Sequence, residues 1–365
     1  MIYFIQIMED DNSNNPILDE KSKTKRKLAS VQIISDIIPH TNPKAIEKFE
    51  IAKILGWQVV IPKGEFQKNE KIIYFEIDSL LPNDKPWAAP MKPNKYRVKS
   101  KKLAGALSQG FITKLSVLKD YDQEFDENKY EVGHNLTDIL NIVKYENNAD
   151  CSYKKVKPLE PFPDKLITRS DEPRNQSNQQ YLQLFKDKPY YITLKYDGMS
   201  GTFLFVDDEF YICSRNTRVN SGPYMQIAKK YKIEEKLKNL NKQYAIQGEC
   251  YGPNIIKNFL CVKEVDFAVF TIKDLKENRY LDMQEMIDLC QKMELPMVKI
   301  LEKGDKFNYT EEQLKEMAKG NYEGTEYPRE GIVLRLQKDW YPDEDNRYSF
   351  KYVNDDFLTY NSTYK

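Results

Sequence analysis

The sequence predicts an α+β protein in which a small N-terminal β-barrel precedes a larger domain made mostly of strands with a few helices. Three observations carry that expectation. The length of 365 residues suits two domains. From Leu28 to Leu115, short β-branched and aromatic runs are punctuated by Pro, Gly and Asn. From Tyr190 a second series of such runs begins, interrupted by two segments of helical period.

Residues 1–27 read as a flexible tail, because residues 9–27 are polar and end in the basic run KSKTKRK. The barrel is assigned to 28–144. Its strands come from LASVQIISDIIP, FEIAKILGWQVVIPKG and EKIIYFEIDSLLP, and GALSQGFITKL adds another after the basic stretch MKPNKYRVKSKK. About five short strands in ~100 residues suit an OB-like barrel. In the basic stretch Lys92, Lys95, Arg97, Lys99, Lys101 and Lys102, with Tyr96 among them, offer contacts to nucleic-acid phosphates, although a solvated loop reads equally well.

Residues 145–180 are rich in Asn, Lys and Pro and are assigned to a connector, leaving 181–365 as the second domain. Strands are expected there at 190–195, 202–206, 210–214, 244–248, 265–272, 331–336 and 347–352, with Asp207-Asp208 turning a hairpin. Helices are expected near 223–240 and 282–293. In the second, Met283, Met286, Ile287 and Cys290 share one face, which reads as core packing.

Composition narrows the chemistry. The chain is 40% hydrophobic and 31% charged, as soluble domains are. Lys+Arg and Asp+Glu are both 56, so any nucleic-acid surface is a local patch. Five cysteines without paired spacing argue against a disulfide framework or zinc site and suit a reducing, intracellular compartment. Two histidines argue against a histidine-based metal site or a Ser-His-Asp triad. The apolar start MIYFIQIM is short, lacks a basic flank and is not expected to be a signal peptide. No run reaches the ~18 apolar residues of a membrane helix, so a soluble monomer is expected.

The chemistry is expected in a series of short segments. YITLKYDG ends a strand on Lys195 and turns at once through Asp197-Gly198. CSRN carries Arg215 and Asn216, and AIQGECYG places Glu249 beside a glycine. VDFAVFTIKD is a strand with Phe267 and Phe270, EGIVLR opens on Glu330, and SFKYVN contains Lys351. Each alone reads as a solvated charge or a core aromatic. In this order they resemble the motif series of the covalent nucleotidyltransferases, the superfamily of ATP-dependent DNA and RNA ligases and capping enzymes.

That resemblance implies a nucleotidyltransferase domain of ATP-grasp-like form, with two antiparallel sheets flanked by helices. It implies that the Lys195 amine attacks the α-phosphorus of ATP and becomes a lysyl-AMP. At the reference pKa only about one lysine in a few thousand is neutral at pH 7, so the site must lower that value. Asp197, Glu249 and Glu330 would hold Mg²⁺ (or Mn²⁺), directly or through its waters. The metal, Lys351 and Arg215 would neutralise phosphate charge, with Gly198 and Asn216 beside the nucleotide. One of Phe267 and Phe270 would stack on adenine; three apart on a strand, they face opposite ways. Many relatives carry a second lysine where this chain has Val353.

The chain continues for fourteen residues beyond Lys351, too few for the C-terminal OB or helical domains of other branches. An OB-like domain in front instead resembles the RNA ligases of the Deinococcus and Naegleria type. ILGWQVVIPKGEF, KIIYFEIDSLLP and GALSQGF resemble that group's N-terminal domain. FPDKLITRSDEPRNQ (162–176) resembles its segment ahead of the nucleophile, which would bring Arg174 to the ATP phosphates and Gln176 near the nucleotide. The group seals 3′-OH/5′-phosphate ends and would prefer an RNA 3′-OH at a duplex nick, so the expected partner is nicked duplex RNA or an RNA-terminated duplex. A DNA-nick ligase, a GTP-dependent capping activity and a non-catalytic RNA-binding protein on the same fold are the alternatives.

Overall fold

The computed structural model describes residues 26–145, 158–177, 180–240, 242–338 and 348–363. Its N-terminal part holds β1 (Ala29–Ile33), β2 (Asp36–Pro39), β3 (Phe49–Ile54), β4 (Trp57–Pro62), β5 (Lys71–Phe75), β6 (Ser79–Leu80), β7 (Ser100–Leu103), β8 (Ala106–Gln109), β9 (Phe111–Lys114) and β10 (Val143–Lys144). Two antiparallel three-stranded sheets, β1-β5-β9 and β2-β3-β4, face each other. Period-two alternation on β5 shows how. Ile72 and Tyr74 point into the barrel with Ile54, Trp57 and Ile112, while Ile73 and Phe75 point outwards against Leu115, Leu118 and Leu136. A strand buried on both faces is apolar along its buried length, as IIYF after Lys71 is.

The tail assigned to residues 1–27 lies outside the described residues except for its last two, and those two are fixed. Arg26 pairs with Glu76 at 2.6 Å, and Lys27 donates to the Gly133 carbonyl. Much of the connector, residues 146–157, also lies outside the described residues. Its later part is not all linker: β11 (Pro158–Pro161) pairs with a strand of the second domain, and Asn175–Ser177 forms a 3-10 turn.

The second domain contains α1 (Gln180–Phe185), β12 (Tyr190–Lys195), β13 (Met199–Val206), β14 (Glu209–Cys213), β15 (Thr217–Val219), α2 (Gly222–Lys230), α3 (Ile233–Lys238), β16 (Tyr244–Tyr251), β17 (Asp266–Asp274), β18 (Arg279–Tyr280), α4 (Met283–Lys292), β19 (Ile300–Gly304), α5 (Glu311–Ala318), β20 (Gly331–Leu336), β21 (Ser349–Val353) and α6 (Asp355–Thr363). One sheet runs β11-β15-β14-β13-β16-β17-β18 and the other β19-β12-β20-β21, both antiparallel. This is the expected α+β arrangement of a barrel ahead of two helix-flanked sheets. The helix expected over 223–240 is two helices, because Lys232 adopts φ +50 between them. On α4 the buried face is Met283, Met286, Leu289 and Cys290, and Leu289 takes the place expected for Ile287. An Asp282/Glu285 capping box starts that helix.

Candidate active site

Sheet register builds the site. Lys195, at the end of β12, pairs with Gly331 at the start of β20. The residue before Gly331 is Glu330, so the pairing delivers its carboxylate to the lysine, with Nζ to Oε2 at 2.7 Å. The chain then turns through Asp197-Gly198 and enters β13 of the other sheet, where Ser200 pairs with Glu249 of β16. One crossing between sheets therefore gathers Lys195, Asp197, Glu249 and Glu330 around a cavity of about 390 Å³. Two glycines permit the close approach. A Cβ on Gly198 would lie 2.2 Å from the Cys250 carbonyl oxygen, and one on Gly331, at φ +145, would lie 2.0 Å from that of Tyr352.

A basic wall faces the acidic one. Lys351 sits on β21 opposite Val333, and its amide donates to the Pro173 carbonyl at 2.8 Å. Through this contact the segment 171–174 runs along β21, with Arg174 in a bridge to Lys351. Asp171 lies among three cations: Lys144 at 2.5 Å, Arg215 at 3.2 Å and Lys351 at 3.4 Å. Glu172 pairs with Arg335 at 2.5 Å and accepts from the Ser349 hydroxyl. The barrel closes the cavity with Arg26, Asp78, Arg97, Lys144 and Tyr145. Asp78 pairs with Arg97 at 2.7 Å and reaches Arg174 at 3.8 Å. The Arg97 guanidinium lies 3.7 Å from the Tyr145 ring centre, and that of Arg174 lies 5.7 Å from the Trp57 ring.

Burial and like charge act together on the acidic side. Desolvation, with Glu330 and Asp197 nearby, pushes the Glu249 carboxyl up to about 8. Desolvation and Glu330 push Asp197 up to about 7. Burial opposes the charge on Lys195, but Glu330, Glu249 and Asp197 outweigh it and hold the ammonium above its usual range. On the basic side desolvation brings Lys351 down to about 8, against the pull of Asp171. Burial would raise Asp171, yet Lys351, Lys144 and Arg215 hold it well below the usual carboxylate range. A polyphosphate suits one half of this cavity and a cation the other.

Comparison with known proteins gives that cavity a family. Residues 188–353 match the model of the RNA ligase family, and residues 28–115 match that of an OB-fold domain. The family match to the second domain, the OB-fold match ahead of it and the likeness to a solved RNA ligase together support an ATP-dependent RNA ligase with an OB domain. A Naegleria gruberi RNA ligase solved with PPi is 29% identical, over 91% of this chain and 98% of that one, with a TM-score of 0.77. A substituted form of that ligase with ATP and Mn is 28% identical over 91% and 98%, with a TM-score of 0.76. An uncharacterized protein of Methanocaldococcus jannaschii is 30% identical over 148 residues, which are 39% of this chain and only 36% of that protein.

For an RNA ligase, the placement of each expected residue matters. Lys195, Asp197, Gly198, Glu249, Glu330, Lys351, Arg174 and Arg215 all line the cavity. So does Phe270, whereas Phe267 is fully buried and packs edge-on against Phe203. Alternation is the cause: Ala268 pairs with Glu249 on the cavity face, so Phe270, two residues on, shares that face while Phe267 takes the other. The bulge at Phe270 (Gln247 pairs with Thr271 and Gly248 with Val269) shifts only the residues that follow. Asn216 and Gln176 do not line it. Asn216 accepts from the Phe162 amide, and Gln176 is buried, its carbonyl accepting from the Gly56 amide. Lys95, Lys99, Lys101 and Lys102 lie outside the cavity, while Arg97 forms part of its wall. Val353 is buried with Leu194, Tyr322 and Phe357, where a lysine would be stranded.

The carboxylates expected to hold a divalent cation fit one, with help from water. Asp197 Oδ2 is buried and has no hydrogen-bond partner, and burial, with like charge beside it, raises the Asp197 and Glu249 carboxyls, a cost that a bound cation would relieve. Among the described residues no three His, Cys, Asp or Glu side chains are gathered to coordinate one ion directly. Glu330 is engaged by Lys195. Sequence reasoning missed Arg26, Asp78, Lys144 and Arg335 as cavity residues, and gave no role to Asp171 or Glu172 although both stand in the segment it singled out.

Proposed function

We propose that this RNA ligase uses ATP to seal 3′-OH/5′-phosphate polynucleotide ends, with a preference for an RNA 3′-OH at a duplex nick. The observation that carries the reading is the Lys195 amine at 2.7 Å from Glu330, between an acidic and a basic wall of one cavity. Structures of the Naegleria relative with ATP, AMP, Mn or PPi support the choice of nucleotide and a divalent metal.

Lysine attack requires a neutral amine, and the pairing with Glu330 defines where its proton can go. The amine forms a phosphoramidate bond to the α-phosphorus, the bond to the β-phosphate oxygen breaks, and pyrophosphate leaves. Lys351, Arg174 and Arg215 stand where they can carry phosphate charge, and Phe270 offers a ring face to adenine. Asp197, Glu249 and Glu330 would hold a divalent cation, which supplies charge neutralisation at the phosphates. The AMP then passes to a 5′-phosphate, and a 3′-OH displaces it. Unpaired Cys213, Cys250, Cys261 and Cys290 support work in a reducing intracellular compartment.

The test is incubation with radiolabelled ATP and Mg²⁺, followed by sealing of nicks that end in a ribonucleotide or a deoxyribonucleotide. Wild type should become labelled, Lys195→Ala should not, and the RNA-ended nick should seal faster. Equal labelling of Lys195→Ala would remove the nucleophile assignment, and equal sealing of both nicks would remove the RNA preference.

A further inference from the structure

One hydroxyl ties together the backbone of three residues in the reaction centre. Tyr322 belongs to the loop between α5 and β20 and is 3% exposed. Its hydroxyl donates to the Lys195 carbonyl at 3.0 Å. It accepts from the Asp197 amide at 2.9 Å and from the Glu330 amide at 3.2 Å. A phenol has one proton to donate and two lone pairs, so its capacity is used completely. Desolvation, reinforced by Glu330, holds the Tyr322 phenol far above its usual range, which keeps the donating proton in place.

The three contacts lie where the sheet itself makes none of these bonds. Lys195 is the last ladder residue of β12, Asp197 is in the turn after it, and Glu330 precedes β20. Asp197 and Glu330 thus lie just beyond strand ends, and each of the three carries a side chain of the cavity. The phenol spans the gap from a third element. Its own loop is braced: the Tyr322 amide donates to the Tyr327 carbonyl at 3.0 Å, and the Thr325 hydroxyl donates to the Tyr322 carbonyl at 3.0 Å.

We propose that Tyr322 is a positioning residue for lysyl-AMP formation, whose hydroxyl fixes the spacing of Lys195, Asp197 and Glu330 by holding their main chains. The inference rests on the ligase reading above and adds a residue that does not line the cavity. Without the hydroxyl, sheet pairing still sets Lys195 against Glu330, but the main-chain tie that holds Asp197 in line with both is lost, and alignment rather than nucleotide affinity suffers.

The experiment measures single-turnover AMP loading across pH and ATP concentration, with thermal unfolding recorded alongside. Tyr322→Phe should lower the maximal loading rate by about 10- to 100-fold with the ATP concentration for half-maximal rate changed by less than about threefold, and should displace the pH–rate profile. Thr325→Val keeps the phenol but loosens its loop, and should show a smaller effect of the same sign. It decides the question should Tyr322→Phe fail to fold. A folded Tyr322→Phe with wild-type loading rate and pH profile, whatever its melting temperature, would overturn the proposal; so would a wild-type Thr325→Val in the case where only that variant folds. Failure of the wild-type protein to load AMP would overturn the ligase reading instead.

Discussion

At the scale of single residues, the acidic wall makes the stability of the protein depend on pH and on metal. Glu249 and Asp197 bind protons more tightly in the folded chain, at about 8 and about 7, than the ordinary values of 4.5 and 3.8. The folded state therefore holds more protons than the unfolded one between about pH 4 and 8, and stability falls as pH rises through that window. A divalent cation that binds the ionised carboxylates offsets the loss. Mg²⁺ should thus raise the melting temperature more at pH 8.5 than at pH 5.5, and Glu249→Gln should shrink that difference. Calorimetry at the two pH values checks it. An equal Mg²⁺ effect at both would mean that these carboxylates do not take up the ion.

At the scale of elements, the pairing of β17 with β16 separates two phenylalanines that look alike in sequence. Phe267 fills the core space left by Gly248, where a Cβ would lie 2.4 Å from its ring. Phe267→Ala should cost ~3–5 kcal/mol of stability. Phe270→Ala should leave the fold nearly intact and weaken ATP, raising the half-saturating concentration by about tenfold, as loss of ~1.4 kcal/mol of stacking does. Denaturant unfolding and ATP titration of the two variants separate the roles, and matching stability losses would deny them. The alternation of strands made it legible that only one ring could face the nucleotide, but which one is set by the pairing of Ala268 with Glu249 of β16, a contact distant in sequence. The same limit explains the rest of the site. Lys195, Asp197 and Gly198 are adjacent, so their chemistry could be read directly. Asp171 reaches Lys144, Arg215 and Lys351 only because the connector lies along β21. No periodicity encodes that contact. Removing the Asp171 charge should show what it does: Asp171→Asn frees three cations from one carboxylate and should tighten inhibition of AMP loading by pyrophosphate several-fold. Unchanged or weaker inhibition would mean that Asp171 organises these cations for phosphate rather than competing with it.

At the scale of the molecule, the barrel has two different relations to the reaction, and the basic stretch 91–102 splits between them. Arg97 belongs to the cavity, paired with Asp78 and stacked on Tyr145, so its loss should impair AMP loading itself. Lys95 and Lys102 are exposed, and Lys101 and Lys102 stand on the β7–β8 hairpin, which lies beside α6 and is tied to it by Gln109 and Asp355 at 2.9 Å. These lysines stand outside the cavity and on the barrel, in the basic stretch whose composition suits phosphate contacts. Neutralising phosphates releases counterions, so each lost contact reduces the salt slope of binding by ~0.9. Lys95→Ala, Lys101→Ala and Lys102→Ala together should leave AMP loading within about twofold of wild type. They should weaken nicked-duplex binding and flatten its dependence on salt by ~2 to 3 in log–log slope. Binding isotherms from 50 to about 200 mM salt, set beside the loading assay, supply both readings. If the triple variant keeps the wild-type slope, the duplex lies elsewhere on the barrel; if it loads AMP as poorly as an Arg97 variant, the two faces of the barrel are not separable.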